Sequence, residues 1–273
     1  MRISNIIPLQ SILTRSIRCA VREQGLEALS DRLEKIVPDI SQQYSLFEVK
    51  EGYLKAKVRA MHAFQMSLLG EVMRNFQNSA VIVDIGDSAG THIQYIKGLY
   101  SQKMKVKSLS VNLDEKAVAR IKAKGLDAVC AKAEDLGSYD IKPDIFLCFE
   151  TLEHLMDPCN FLRSLSLGTK AEYLIITVPY LTNSRVGLHH IRNCAQNDVY
   201  AENTHIFELS PSDWKLLILH SGWCIKAEKI YLQYPQRGVL RITRSYWRKS
   251  DYEGFYGLVL SRDNSWTSKY KNW

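Results

Sequence analysis

Residues 84–90 read Asp-Ile-Gly-Asp-Ser-Ala-Gly and directly follow the apolar run Ala80, Val81, Ile82, Val83. Glycine at 86 suits a chain that breaks sharply out of a strand, and glycine at 90 lets a ligand approach the start of the next helix. Free N–H groups and the helix dipole at such a turn favour an anionic group. Three chemistries compete for the loop. A dinucleotide turn requires G-x-G-x-x-G, and Ser88 breaks that spacing. A serine nucleophile sits in G-x-S-x-G, which Gly86-Asp87-Ser88-Ala89-Gly90 satisfies literally. That elbow follows several strands in a hydrolase, whereas only helical sequence lies upstream here, and no His-Gly-Gly-Gly stretch offers an oxyanion hole. The third class places an acid two residues before the first glycine, where Asp84 stands.

Histidines are the side chains most able to move a proton at neutral pH. His154 follows another apolar run, Asp144 to Phe149. His189 and His190 lie in a long segment after Pro179, with His205 near its end. His154 and His190 are taken as the candidate bases. Zinc held by His189, His190, His205 and Cys194 is an alternative use, but these residues lack a regular ligand spacing. The stretch Arg237, Arg241, Arg244, Arg248 and Lys249, with Tyr246 and Trp247 interleaved, suits nucleic acid or a phosphate-bearing small substrate. Nucleic acid is the less favoured of the two.

The elements that must carry these residues follow from apolar periodicity. Leu26, Leu29, Leu33 and Ile36 recur at helical spacing before Pro38 closes the segment. A second helical stretch runs from Tyr53 to Phe76, with Leu54, Val58, Met61, Phe64, Leu68 and Val72 on one face. Residues 1–22 hold Arg2, Arg15, Arg18 and Arg22 and no acid, which suits a basic helix of the same cap or, as the alternative, a transit peptide or membrane-surface helix. From residue 78 short apolar runs alternate with helical stretches. Strands are expected at 80–85, 106–113, 127–133, 144–149, 173–178, 227–233 and 255–261. Helices are expected at 91–100 and 114–124, around Phe161, Leu162 and Leu165, and at 212–221. Such alternation reads as a parallel α/β sheet with the ligand beyond the carboxyl ends of its strands. The chain divides into a helical cap, 1–77, and an α/β domain, 78–273, with 181–210 and 235–254 shaping an acceptor pocket.

Composition narrows the class. The chain has 273 residues, 46% apolar and 24% charged, which suits a packed core rather than disorder. No apolar run reaches the length of about 18 residues that a membrane span needs. The six cysteines never form C-x-x-C and read as reduced thiols in a cytoplasmic setting. A net charge of +7 favours anionic partners without selecting one.

Asp84-x-Gly86-x-Ser88-x-Gly90 resembles the first motif of class I S-adenosylmethionine-dependent methyltransferases, with Ser88 in place of the usual middle glycine. The resemblance runs in order over about residues 78–262. Ser110-Val111-Asn112-Leu113-Asp114 resembles the ribose-holding segment, and Ala133-Glu134-Asp135-Leu136 the adenine side. Glu150-Thr151-Leu152-Glu153-His154-Leu155-Met156-Asp157-Pro158 resembles the "LEH-x-x-DP" stretch of small-molecule methyltransferases related to the quinone and sugar enzymes. Ile175 to Tyr180 and Phe207 to Trp223 resemble the fifth strand and the helix before strand six.

The resemblance implies a Rossmann-like seven-stranded sheet, mostly parallel with its last strand antiparallel, under a helical N-terminal cap. It implies S-adenosyl-L-methionine as cofactor, held by Asp84, Gly86, Ser88, Gly90, Asn112, Leu113, Ala133, Glu134, Phe149 and Glu150. Asn112 departs from the acid that many relatives use on the ribose, with Asp114 as the fallback. Lys132 departs from an adenine-contacting acid. The implied reaction is methyl transfer to an oxygen of a small acceptor, sugar-like or phosphorylated, with His154 or His190 as base. The N-terminal helices offer a route to a homo-oligomer. A Ser88 hydrolase and a non-catalytic cofactor-binding partner protein are the rival readings.

Overall fold

The computed structural model describes residues 9–44, 48–50, 52–132, 135, 142–186, 204–250 and 252–270. Three helices lead: α1 (Leu9–Glu23), α2 (Glu27–Ile36) and α3 (Tyr53–Met73). Alternation then begins with β1 (Ser79–Ile85), α4 (Thr91–Tyr100), β2 (Lys105–Asn112), α5 (Glu115–Ala123), β3 (Ala128–Cys130) and β4 (Ile145–Phe149). It continues through α6 (Pro158–Gly168) and β5 (Tyr173–Tyr180) to a short hairpin, β6 (Arg185–Val186) with β7 (Phe207–Glu208). The last elements are α7 (Pro211–His220), β8 (Trp223–Leu232), α8 (Arg244–Ser250) and β9 (Gly254–Arg262).

Seven strands form one sheet in the order β3-β2-β1-β4-β5-β9-β8. The first five pair parallel, and β9 runs antiparallel to both β5 and β8. This is the sheet expected from the sequence. Its central strands are continuous apolar runs because helices cover both faces; all five residues of β4 are buried. Side-chain caps set the helix starts. Asp157 accepts from Asn160 N at 2.9 Å ahead of Pro158, and Ser210 caps α7 ahead of Pro211.

Two apolar layers result. One joins α1–α4 to one face of the sheet, and the other joins α6 and α7 to the opposite face. Leu13, Ile17 and Val21 of α1 and Leu33 of α2 are therefore buried within this chain. The helix α3 differs from the single apolar face read in the sequence. It lies between the other N-terminal helices and the sheet, so Arg59, His62, Gln65, Met66 and Leu69 are buried as well. A helix covered on all sides carries no clean periodic stripe, and its buried polar residues must find partners.

The basic stretch after residue 235 is divided: Arg237, Arg241 and Lys249 are exposed, while Arg244, Trp247 and Arg248 are engaged within the protein. Trp247 is fully buried, and Arg244 and Arg248 both pair with Glu253. No described helix is long and apolar enough to cross a membrane.

Leu69, with 0% exposure and off the face read from sequence, tests the sandwiched position of α3. Leu69→Ala is expected to cost about 2–5 kcal/mol in urea unfolding, as for other fully buried leucines. A loss below about 1 kcal/mol places that side of α3 at the surface.

Candidate active site

The carboxyl ends of β1, β2 and β4 lie side by side, with Ile85 registered against Val111 and Cys148. Gly86 continues from Ile85 into a bend at φ 89, a conformation that strains any other residue. Its N–H donates to Val111 O at 2.8 Å, and its backbone is exposed. Thr151 closes the bend from the β4 side: its hydroxyl lies 3.2 Å from Ile85 O and 3.0 Å from Phe149 O. A Cβ at 86 would run into that hydroxyl. Gly90 has φ 73, and a Cβ there would lie 2.8 Å from Leu126 Cδ1. Its small size serves the packing of α4 against the α5–β3 turn rather than access for a ligand.

The loop satisfies much of its own polarity. Asp87 Oδ1 accepts from Ala89 N at 3.2 Å and Gly90 N at 3.0 Å, so these N–H groups are not open to a ligand carboxylate as the sequence suggested. Ser88 Oγ donates to Gln43 O at 2.6 Å. Asn112 Nδ2 donates to Asp87 O at 3.3 Å, and its Oδ1 accepts from Asp114 N at 2.9 Å. Asn112 thus ties β2 to the glycine loop instead of presenting a vacant amide to a ribose. Leu113 beside it is 61% exposed. Asp87 Oδ2 is enclosed and has no hydrogen-bond partner among the described residues.

Asp84, 1% exposed, faces inward. Its Oδ2 lies 2.9 Å from His92 Nδ1, and His92 Nε2 lies 3.1 Å from Gln65 Oε1. Gln65 Nε2 then donates to Thr177 Oγ1 at 3.1 Å. Both ring nitrogens of His92 meet acceptors, which is the bonding of an imidazolium. Burial pushes Asp84 up from the usual 3.8 to about 6, against the pull of His92. Burial works to lower His92, but the adjacent Asp84 carboxylate outweighs it and raises the imidazole above its usual 6.5. Next to the pair, His62 packs edge-on to His92 and hydrogen-bonds Tyr95, which also accepts from Arg59. None of His92, Gln65 or His62 belongs to a motif, so no sequence signal selects them.

Beyond β4 the chain turns at Glu150, the one described non-glycine residue with positive φ, 47. Phe149 is buried, edge-on to His92. The next turn, Leu152–His154, carries Glu153 with 0% exposure. Burial, together with the charges of Glu150 and Glu208, pushes the Glu153 carboxyl well above the usual range. His154 Nδ1 lies 2.7 Å from Thr204 O, and Ile206 N donates to Glu153 O at 2.8 Å. The β6–β7 hairpin therefore folds back onto this turn. It brings His205, whose Nδ1 lies 2.9 Å from Glu208 Oε1, with Arg185 paired to the other oxygen of Glu208. Ala133, Glu134, His189, His190 and Cys194 lie outside the described residues.

No family model matches the sequence, and no curated protein is similar to it by sequence. Solved structures do share its fold. A Galdieria sulphuraria protein assigned as a sarcosine dimethylglycine methyltransferase is similar with a TM-score of 0.56 and 14% identity, over 86% of this chain and 98% of that one. The [4+2]-cyclase SpnF is similar with a TM-score of 0.54 and 12% identity, over 90% and 97%. An O-methyltransferase from a trans-AT PKS multienzyme of Brevibacillus brevis, in complex with S-adenosyl-L-homocysteine, is similar with a TM-score of 0.53 and 12% identity, over 75% and 74%. The chain therefore has the class I, Rossmann-like methyltransferase fold. One of the similar structures is a cyclase, so the fold does not by itself name the reaction.

The raised pKa values of Asp84 and His92 have the same sign: the folded chain holds these protons more tightly than the unfolded chain. The Asp84 contribution to stability is full below 3.8 and lost as pH rises through about 6. That of His92 is full below 6.5 and lost above its raised value. Asp84→Asn removes the coupled titration. Between about pH 4 and 7 the melting temperature of the parent is therefore expected to fall relative to that of the variant. Parallel curves would show that the pair does not titrate in this way.

Proposed function

We propose that this chain transfers the methyl group of S-adenosyl-L-methionine to an oxygen of a small acceptor, of sugar-like or phosphorylated type. The observation that carries the reading is the convergence at one sheet edge of exposed Gly86, exposed Leu113 and the strained turn at Glu150. The "LEH-x-x-DP" stretch continues from that turn, which supports a small-molecule acceptor. The structural likeness to an O-methyltransferase complexed with S-adenosyl-L-homocysteine supports the cofactor.

The donor set fits that cofactor. Leu113 offers an apolar face for the adenine. Asp114 caps α5 through Oδ1, and its second carboxylate oxygen can take the ribose in place of Asn112. Asp87 Oδ2, without a hydrogen-bond partner among the described residues, is the acceptor beside the bend suited to the methionyl amine, and Asp84, held by His92, lies behind it. Ala133 and Glu134, outside the described residues, are carried as adenine-side residues by the resemblance alone, while Ser88 and Gly90 shape the loop. When bound, the cofactor supplies an electrophilic methyl on a cationic sulfur. Phe149 and Glu150, at the end of β4, provide a ring and a carboxylate for such a cation.

The Nδ1 bond from His154 to Thr204 fixes the ring and leaves Nε2 as its basic nitrogen. His190 is the second candidate base. The protein's main contribution is to hold acceptor oxygen and methyl in line, an effect that reaches about 7–11 kcal/mol in well-oriented intramolecular reactions. The hydrolase reading loses its nucleophile, because the Ser88 hydroxyl proton is directed at the Gln43 carbonyl.

Calorimetry with S-adenosyl-L-methionine and S-adenosyl-L-homocysteine tests the reading. One site per chain is expected, and Leu113→Glu, at an exposed position, is expected to weaken binding about tenfold or more, a cost of about 1.4 kcal/mol. Binding of neither compound by the parent protein overturns the reading. Tight binding without turnover on any hydroxyl acceptor favours a non-catalytic partner protein.

A further inference from the structure

Glu153 is 0% exposed, and neither of its carboxylate oxygens has a hydrogen-bond partner on another described residue. A buried carboxyl without donors either keeps its proton or meets a positive partner, and a metal ion that displaces the proton is such a partner. The groups that surround it are arranged to hold one. His154 Nε2 lies 4.0 Å from Glu153 Oε1, and the His154 and His205 rings meet edge-on with centroids 4.7 Å apart. Ligand atoms of Glu153, His154 and His205 all lie within 4.8 Å of one another.

The second nitrogen of each histidine completes the pattern. His154 Nδ1 is bonded to Thr204 O and His205 Nδ1 to Glu208 Oε1, so in each neutral ring the lone pair is on Nε2. Glu208 is itself 1% exposed and held by Arg185. A histidine tied at one nitrogen to a carbonyl or a fixed carboxylate is the outer support that metal-bound imidazoles ordinarily have.

We infer that Glu153, His154 and His205 bind one divalent first-row transition-metal ion, with Glu208 and Arg185 positioning His205. Two imidazoles and one carboxylate suit zinc, iron or manganese rather than calcium. Metal–ligand bonds of about 2.0–2.2 Å require the three groups to close by roughly an ångström, within the reach of side-chain rotation. Three ligands among the described residues leave a position for water or for an acceptor oxygen. Presentation of a hydroxyl acceptor at that position rests on the methyl-transfer reading; ion binding itself does not. In that arrangement His154 acts on the acceptor through the ion rather than as a free base.

The test uses the full chain after chelator treatment and desalting. Zinc is titrated in competition with a chromophoric chelator, and cobalt is added separately and followed by its visible absorption. One ion per chain is expected. Glu153→Gln and His205→Ala are each expected to weaken binding by about 100-fold or more, and Glu208→Gln by about 10–100-fold. His220→Ala, far from the cluster in sequence and bonded to Tyr270, is expected to leave binding unchanged. Circular dichroism confirms that each variant folds. No stoichiometric binding by the parent, or zinc affinity that survives both Glu153→Gln and His205→Ala, overturns the inference. Calorimetry with S-adenosyl-L-homocysteine on the metal-free protein separates the two claims. Cofactor binding with no metal site refutes this inference alone, and a metal site with no cofactor binding refutes the methyl-transfer reading alone.

Discussion

The buried Asp84 carboxylate is the constraint around which the site is organised. An acid without solvent at the end of a central strand demands a proton-bearing partner. His92 from the first turn of α4 meets that demand, and His92 in turn requires an acceptor for its other nitrogen. Gln65 of α3 supplies it and passes its own amide to Thr177 of β5. Four elements are thereby joined through side chains whose partners all lie inside the protein. The N-terminal region is in direct contact with the chemistry-bearing edge, because Gln65 of α3 reaches the pair and Gln43, between α2 and α3, accepts from Ser88 and Thr91.

The sheet was legible because its strands are short apolar runs punctuated by Gly86, Asp114, Pro143 and Gly222, although β5 runs on through Pro179 to Tyr180. Strand ends fell within a few residues of those read from the pattern, and the antiparallel β9 lay where expected. The hairpin of β6 with β7 escaped notice because each strand has two residues, too few for any alternation to register. The helix α3 was read as one-sided because its polar residues look solvent-facing in sequence. Only tertiary covering turns Arg59, His62 and Gln65 into interior groups. The glycine loop was found by its spacing, but that spacing did not show that Asp87 caps the helix start itself. Nor did it show that Asn112 is bonded on both sides. Those bonds depend on register between strands distant in the chain. Similarly, Glu153 stood in a recognised stretch without an assigned role, because its burial is set by residues 204–208.

Two features therefore divide the site. The side formed by β1 and β2 is shaped by a self-satisfied loop that leaves apolar Leu113 and the Gly86 backbone facing outward. The side formed by β4 and the β6–β7 hairpin concentrates carboxylates and histidines with fixed ring orientations. A cationic nucleoside suits the first, and the second is where the proposed methyl transfer would place its acceptor. The division explains how one fold hosts different reactions: the strands fix the first side, and the inserted hairpin is free to vary the second.

Backbone hydrogen exchange read by mass spectrometry, with and without saturating S-adenosyl-L-homocysteine, bears most directly on this account. Added protection is expected in the peptides spanning the β1–α4 bend, the end of β2 and the turn after β4, with the far ends of the same strands unchanged. No change at all three segments, or protection confined to the N-terminal helices, would contradict a cofactor berth at this edge of the sheet.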